Sequence, residues 1–348
     1  MTLKPALRPL RVLLTATGAP GAARLIRALQ QNGERELAVI GTDMSARSGG
    51  RFLCDGFHVV PPGSSDEFAP AVAELAHREG ADVVFPQSSG EVVQFAANRA
   101  LFAMPLLVAS SEAIAACDDK AQTMALAERA GVKAPRTHLA RTPEEFRAAA
   151  AELGYPAREV CMKPPQAKGS RGFRVLSATV DRRHALLEAR PGPLPLSVEE
   201  ALEAIGDEGF PPLLVMELAR GEEHTVDGIC RGGRLVLGHA KTREAMRAGL
   251  AMYFETAAQP ELEAAARRLV AALGLDWFVN VQFIGEHLLE INPRISTIVY
   301  QDDLNLPYLA VRLALGELDE EQLAAYQPVV RTTRRALRYY DQVEYDEP

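Results

Sequence analysis

The chain has 348 residues, 47% hydrophobic and 24% charged, a composition that fits a soluble globular protein of two or three packed subdomains rather than one small core. Its net charge of −8 gives no basic footprint for a nucleic acid, and no stretch approaches the roughly 20 apolar residues that cross a bilayer, so neither nucleic acid nor membrane is an expected partner. Cys54, Cys117, Cys161 and Cys230 are far apart, form no CxxC pair, and follow no apolar signal segment, so reduced thiols and a cytoplasmic location are expected.

The first third alternates strand and helix. Residues 11–17 form a short apolar run that stops at Gly18, and 22–31 carry Leu25, Ile26 and Leu29 at helical spacing. Strands are expected at 37–42, 81–86 and 105–109, with helices at 70–78 and 91–101. This alternation predicts a parallel, doubly wound sheet whose ligand crevice lies beyond the carboxyl ends of its strands. The character changes around 110–119. A helix at 120–130 stops at Gly131, with Pro135 beyond it. A helix at 144–153, a strand at 160–164 and a glycine-bearing loop follow. Pro191, Pro193 and Pro195 precede a helix at 198–205. Strands are expected at 213–218, 223–230 and 234–239, the last two joined by a tight turn at Gly232-Gly233. The apolar stretch 264–275 is interrupted by Arg267 and Arg268 and reads as part of an amphipathic helix over 261–273. A second hairpin joins 278–284 to 287–291, and 308–315 is the last clear helix.

Four segments carry residues suited to chemistry. Residues 17–21 sit at a strand-to-helix turn where N–H groups can face an anion, and Asp43 ends the next strand, where a dinucleotide fold places its ribose acid. The segment is not GxGxxG and Pro20 removes a donor, so a plain tight turn competes with a nicotinamide site. Lys163 ends a strand and is followed by Lys168-Gly169-Ser170-Arg171-Gly172 and a strand at 173–176. Such a loop either folds over a triphosphate or is a solvated basic turn. Residues 217–227 run from an apolar strand into an acidic turn, whose carboxylates suit ribose hydroxyls or an exposed hairpin. Asn280 and Gln282 share one strand face, as do Glu290 and Asn292 on the partner strand, with Arg294 just beyond. An all-oxygen cluster of one carboxylate and amides suits a Mg²⁺ ion that keeps waters and bridges phosphates; the alternative is a polar hairpin satisfied by itself.

The ordered set resembles the ATP-grasp superfamily: strand-lysine, glycine loop, acidic hairpin, then Gln282 with Glu290-Ile291-Asn292-Pro293-Arg294. Its carbamoyl-phosphate-synthase-like and carboxylate–amine ligase members are the most similar. The resemblance covers nearly the whole chain. It implies an α/β fold, with an N-terminal doubly wound parallel sheet (1–115, the pre-ATP-grasp domain) followed by a two-lobed α+β ATP-grasp module. The small lobe with its lid loop would occupy 116–190, and the large lobe with the metal site and a closing segment 191–348. Asp119-Lys120 resembles the entry to that module, and Arg338-Tyr339-Tyr340-Asp341 its closing element.

The resemblance also implies ATP and Mg²⁺, or Mn²⁺, as cofactors. Lys120 and Lys163 would contact phosphates under a lid of Lys168, Gly169, Ser170, Arg171 and Gly172. Glu217 and the backbone of Leu218 would lie near adenine, Glu223 on the ribose, and His239 and Lys241 on the triphosphate or substrate. Gln282, Glu290 and Asn292 would hold metal, and Arg294, with Lys163 and Arg171, would act on the γ-phosphate. The implied activity is an ADP-forming ligase that phosphorylates a small-molecule carboxylate and couples the acyl phosphate to an amine, in a chain that relatives suggest can form a homodimer. Carbamoyl-phosphate-type chemistry on bicarbonate or carbamate is the alternative. Two departures motivate a further one, a nucleotide-binding protein without turnover. Gln282 stands where many relatives have an acid, and 295–300 lacks the glycines many place there. Arg243 and Arg247 are candidates for a substrate carboxylate, and Asp302 or Asp303 for a substrate amine, against a reading of all four as solvated surface.

Overall fold

A computed structural model describes residues 7–166, 171–188, 194–247, 250–296, 301, 303–339 and 342–346. The first third contains β1 (Leu10–Leu14), α1 (Ala22–Gln30), β2 (Leu37–Asp43), β3 (Gly56–Val59), α2 (Phe68–Arg78), β4 (Val83–Phe85), α3 (Glu91–Ala97) and α4 (Ser111–Asp118). Its strands pair in parallel in the order β3-β2-β1-β4, as strand–helix alternation requires. The strand expected at 105–109 is reduced to a single bridge between Val84 and Leu106. Pro105 has no N–H to give, and the carbonyls of Val108 and Ala109 are taken by the Arg99 guanidinium instead of a neighbouring strand. The helix expected to reach 101 stops at Ala97, where Asn98 turns its amide back onto the Gln94 carbonyl, and a short 3₁₀ turn follows.

Next come α5 (Lys120–Arg129), β5 (Thr137–Ala140), α6 (Pro143–Glu152), β6 (Val160–Lys163), β7 (Arg174–Leu176), α7 (Arg182–Leu187), α8 (Val198–Ile205) and β8 (Leu213–Glu217). The strands form an antiparallel sheet, β5-β8-β6-β7. Side chains start the helices: Thr142 caps α6 ahead of Pro143, and Ser197 and Glu200 make a reciprocal capping box on α8. Phe146, Leu153, Val160, Leu202 and Val215 fill a core of their own between this sheet and α6 and α8. That core includes α8 and β8, which sequence pattern had put with the large lobe. The small lobe's packing therefore continues past residue 190 to Glu217: β8 bonds to β5 and β6 along its two edges, and its faces are covered by two clusters, Leu213 and Val215 on one side and Leu214 and Met216 on the other.

The rest is β9 (Glu223–Arg231), β10 (Arg234–Thr242), β11 (Glu244–Arg247), β12 (Leu250–Ala257), α9 (Pro260–Leu273), β13 (Trp277–Ile284), β14 (His287–Asn292), α10 (Leu306–Ala314), α11 (Glu320–Ala324) and β15 (Arg335–Leu337). These strands build one antiparallel sheet, β11-β12-β10-β9-β13-β14, with β15 also paired to β12. One face carries Val226, Val279, Val281, Phe283 and Ile291, which pack with Leu262, Ala266, Leu269 and Val270 of α9. The opposite face is apolar only at one end. There Ile229, Leu237 and Phe278 join Leu14 and Phe85 of the parallel sheet and Tyr308 and Leu309 of α10. The Phe85 and Phe278 rings stack at 5.1 Å. Arg35, its side chain 1% exposed, is held by Glu317 and by the Tyr308 hydroxyl at 2.9 Å, a second tie between the first and last thirds of the chain.

Candidate active site

Register fixes the site. Phe278, Ile229 and Leu237 stand side by side across β13, β9 and β10, covered by the parallel sheet. Two residues further along each strand, the same face turns polar. Asn292, Asn280, Asp227 and His239 form one cross-strand row, and Glu290, Gln282, Thr225 and Lys241 form the next. The expected meeting of Asn280 and Gln282 with Asn292 and Glu290 is direct: each is the other's paired residue. An irregularity in β14 between Leu288 and Glu290 keeps this register while Leu288 still reaches the core under Phe283.

Apart from His239 these side chains are joined into one network, buried on β9, β10 and β13 and half-buried at Glu290 and Asn292. Asn280 Nδ2 donates to Asp227 Oδ1 at 2.8 Å, and Gln282 Nε2 donates to Asn280 Oδ1 at 2.9 Å. Asn292 Nδ2 donates to Glu290 Oε1 at 3.0 Å. Thr225 Oγ1 donates to Asp227 Oδ2 at 2.9 Å, and Lys241 Nζ forms an ion pair with the same oxygen at 2.5 Å. Arg294 Nε donates to Ser89 Oγ at 2.7 Å, bringing the loop after β4 to the end of the metal-candidate strand. Burial lowers the Arg294 pKa, opposed by Glu290 and Asp227.

The small lobe presents cations to the same place. Lys163 ends β6, is 7% exposed, and feels the charges of Lys120 and Glu290. Burial first, and Lys120 second, bring its pKa down to about 8. Burial takes His239 down to about 4, so its ring is neutral at pH 7, and its Nε2 has no partner among the described residues. Gly172 follows the loop after Lys163 with φ +72°, and a Cβ there would meet Pro164 Cδ at 2.6 Å. Arg171 is exposed. Lys168, Gly169 and Ser170 lie outside the described residues.

Other predicted positions are engaged with protein. Glu217 accepts from the Arg136 backbone at 3.0 Å and from its Nε at 2.7 Å, while Leu218 packs against the cluster of Cys161, Leu214 and Met216. Glu223 shares the face of Thr225 and Asp227 and lies 3.6 Å from Arg243 Nε. Asp119 caps α5, accepting from the N–H groups of Ala121 and Gln122, and so delivers Lys120 as the first helical residue. Asp303 pairs with Arg331, whereas Asp302 and the Arg247 side chain lie outside the described residues. Arg338 reaches the Pro20 carbonyl at 3.2 Å, and Tyr340 and Asp341 lie outside the described residues. Asp43, the candidate ribose acid, instead accepts from Gly18 N at 2.7 Å and Ser45 N at 3.0 Å, which closes the 17–21 turn. The sequence signalled Asp227 only as part of an acidic hairpin. Its alternation with Thr225 around the apolar Val226 was the clue that it points into the polar rows.

This layout, a polar face of one antiparallel sheet opposed by the lysine of a smaller one beside a parallel N-terminal sheet, has close parallels. Residues 209–336 match the family model described as ATP-grasp in the biosynthetic pathway with Ter operon. Over that segment the chain is similar to ATP-grasp proteins. The carbamoyl phosphate synthase large chain of Deinococcus deserti is 30% identical over 231 residues, covering 62% of this chain and 21% of that one. The chain thus spans about a fifth of the length of the curated relatives it matches. Among solved ATP-grasp structures, the biotin carboxylase domain dimer of Hydrogenobacter thermophilus 2-oxoglutarate carboxylase, with MgADP, ADP and bicarbonate, aligns with a TM-score of 0.65 at 18% identity. That alignment covers 88% of this chain and 69% of the other. N5-carboxyaminoimidazole synthetase from Staphylococcus aureus, complexed with ADP, aligns at 0.64 with 12% identity, covering 87% and 77%. The ATP-grasp fold is thereby established for this chain.

Proposed function

We propose that this ATP-grasp chain binds Mg²⁺-ATP between the polar rows of its large sheet and its small lobe, transfers the γ-phosphoryl group to a small-molecule carboxylate, and couples the acyl phosphate to an amine. ADP leaves in the first step and phosphate in the second. On this reading 1–115 is the pre-ATP-grasp domain, 116–190 contains the lid loop and its lysines, and 191–348 supplies the metal-binding hairpin. The observation that carries it is the convergence of Glu290, Gln282 and Asn292, one carboxylate and two amides, on one face of the large sheet, with the charges of Lys163 from the small lobe and of Arg294 just past β14 acting on Glu290.

The donor set fits Mg²⁺ or Mn²⁺ shared with phosphates. It is all oxygen and contains a single carboxylate, and no group of three His, Cys, Asp or Glu that would form an all-protein cage occurs among the described residues. Glu290, with the carbonyl oxygens of Asn292 and Gln282, would hold it. When bound, the ion withdraws charge from phosphate oxygens. The chain's own groups do the rest. Lys163 and Lys241 offer positive charge to the triphosphate, and neutral His239 offers a ring nitrogen. Arg294, anchored through Ser89, faces the charge that develops as the γ-phosphoryl moves. Lys120 and Lys168 to Gly172 close over the phosphates and exclude water, which protects an acyl phosphate from hydrolysis. Glu217, Leu218 and Glu223 take the nucleoside end.

All four cysteines are unpaired, which supports a reducing, cytoplasmic setting, and no helix among the described residues is long and apolar enough to cross a membrane. A homodimer is the assembly we expect, and light scattering would refute it by returning a monomer mass. The central test is ADP release from Mg²⁺-ATP against pools of carboxylates, bicarbonate included, and amines. Release requiring both substrate classes and lost in Glu290→Gln supports the ligase. Binding of ATP with no release from any pool refutes turnover on the classes tested and favours a nucleotide-binding protein.

A further inference from the structure

We propose that Asp227 is a positioning residue of this site: one buried carboxylate that holds Lys241 and Asn280 in place and, through them, shapes the surface that meets the γ-phosphate. The proposal rests on the nucleotide reading above. Asp227 is 1% exposed at the centre of the large sheet, with His239 on one side and Asn280 on the other. Its two oxygens serve different arms.

Oδ1 accepts from Asn280 Nδ2 at 2.8 Å. That bond commits the Asn280 amide group to Asp227 and turns Asn280 Oδ1 toward Gln282 on its own strand and Asn292 on β14. There it accepts from Gln282 Nε2 at 2.9 Å and Asn292 Nδ2 at 3.4 Å. With their N–H groups so engaged, Gln282 and Asn292 direct their carbonyl oxygens away from Asn280, that of Asn292 toward the Arg294 guanidinium at 3.4 Å, an orientation that also suits a cation. Oδ2 accepts from Thr225 Oγ1 at 2.9 Å and pairs with Lys241 Nζ at 2.5 Å. The Lys241 side chain is 2% exposed, and burial pushes its pKa down while Asp227 pushes it back up. A buried amine without its counter-charge sheds its proton and brings no charge to a phosphate. Asp227 needs no contact with the nucleotide to govern both arms, and both its oxygens already have protein partners.

The prediction is a selective loss at the γ-phosphate. Calorimetry would compare MgADP with a non-hydrolysable Mg²⁺-ATP analogue for the wild type, Asp227→Asn, Lys241→Met and the double variant. The wild type should prefer the triphosphate. Asp227→Asn should keep MgADP affinity within about threefold yet lose about tenfold or more of that preference, as Lys241→Met should. The double variant should be no worse than Asp227→Asn alone, because the Lys241 ammonium acts through its pair with Asp227. It also covers the case in which Asp227→Asn fails to fold, since removing both charges of a buried pair is better tolerated than removing one. An Asp227→Asn that retains the triphosphate preference overturns the proposal, as do losses that add in the double variant. Equal weakening of both nucleotides together with a lowered Tm reduces Asp227 to a purely structural group and also overturns it. A wild type that binds neither nucleotide overturns the ATP reading itself, a result distinct from the other three.

Discussion

Replacing Glu91 by glutamine tests the electrostatics of the first third of the chain. Glu91 opens α3 and is 6% exposed, packed under Gly63. Its Oε2 accepts from Thr15 Oγ1 at 2.7 Å. Burial is the largest influence and raises its pKa from 4.5 to about 7, with Asp43 adding to the rise and the bonds from Thr15 and Ser88 opposing it. The folded carboxyl therefore holds its proton more tightly than the unfolded one. The stability this contributes is fully present below pH 4.5 and is lost as pH rises through about 7. At 1.36 kcal/mol per pH unit the whole effect is about 3 kcal/mol. Glutamine has the same shape and no proton to lose. Urea unfolding of both proteins at pH 5 and pH 8 isolates the term, because the other titrating groups are common to the pair. The wild type should lose about 2–3 kcal/mol relative to Glu91→Gln between those pH values. A difference that stays flat would show that Glu91 is ionised in the fold at pH 5, and would refute the argument.

Three further outcomes are expected. If Lys163 serves phosphate as an ammonium, kcat/KM for ATP should fall above pH 8, where the free protein loses that proton, and Lys163→Arg should remove the falling limb; a limb unchanged in Lys163→Arg would exonerate Lys163. Gly172→Ala places a side chain at φ +72° and against Pro164, so the thermal midpoint should drop by an amount worth about 1–3 kcal/mol, and an unchanged midpoint would contradict the geometry. Phe283→Ala empties a fully buried position between the large sheet and α9 and should cost about 3–5 kcal/mol in chemical denaturation, whereas a cost below about 1 kcal/mol would mean the core had collapsed to fill the space.

Much of this was legible because local pattern and tertiary structure agreed. The apolar runs at β1, β2 and β4 are buried on both sides and separated by amphipathic helices, so their parallel pairing followed from alternation. The metal-candidate hairpin was legible for a sharper reason: polar residues at 280, 282, 290 and 292 alternate with Val281, Phe283 and Ile291, so the pattern itself puts the polar set on one face and the apolar set in the core. β12 was not legible. Leu250–Ala257 lacks strict alternation, and its partners are the short β11, two residues of β10 and the distant β15, so nothing near it in sequence announces a strand. The placement of α8 and β8 escaped for a related reason. Both lie after the proline-rich stretch that looked like a boundary, and only pairing to β5 and β6 returns them to the small lobe. Asp227 stood out only as part of an acidic hairpin because its partners Asn280 and Lys241 come from two other strands.

The distribution of cores has a mechanical consequence. Both large apolar clusters run from the parallel sheet into the large antiparallel sheet, and Arg35 with Glu317 and Tyr308 rivets the same two parts at their rim. The small lobe keeps its core to itself. Three sheets therefore make two mechanical bodies: an anvil of two sheets that carries Glu290 and Arg294, and a jaw that carries Lys163. The chain enters the jaw just before β5 and leaves it just after β8, so both straps meet on one side. Separating the two bodies would leave that core intact and would change the distance from Lys163 to the metal-candidate face.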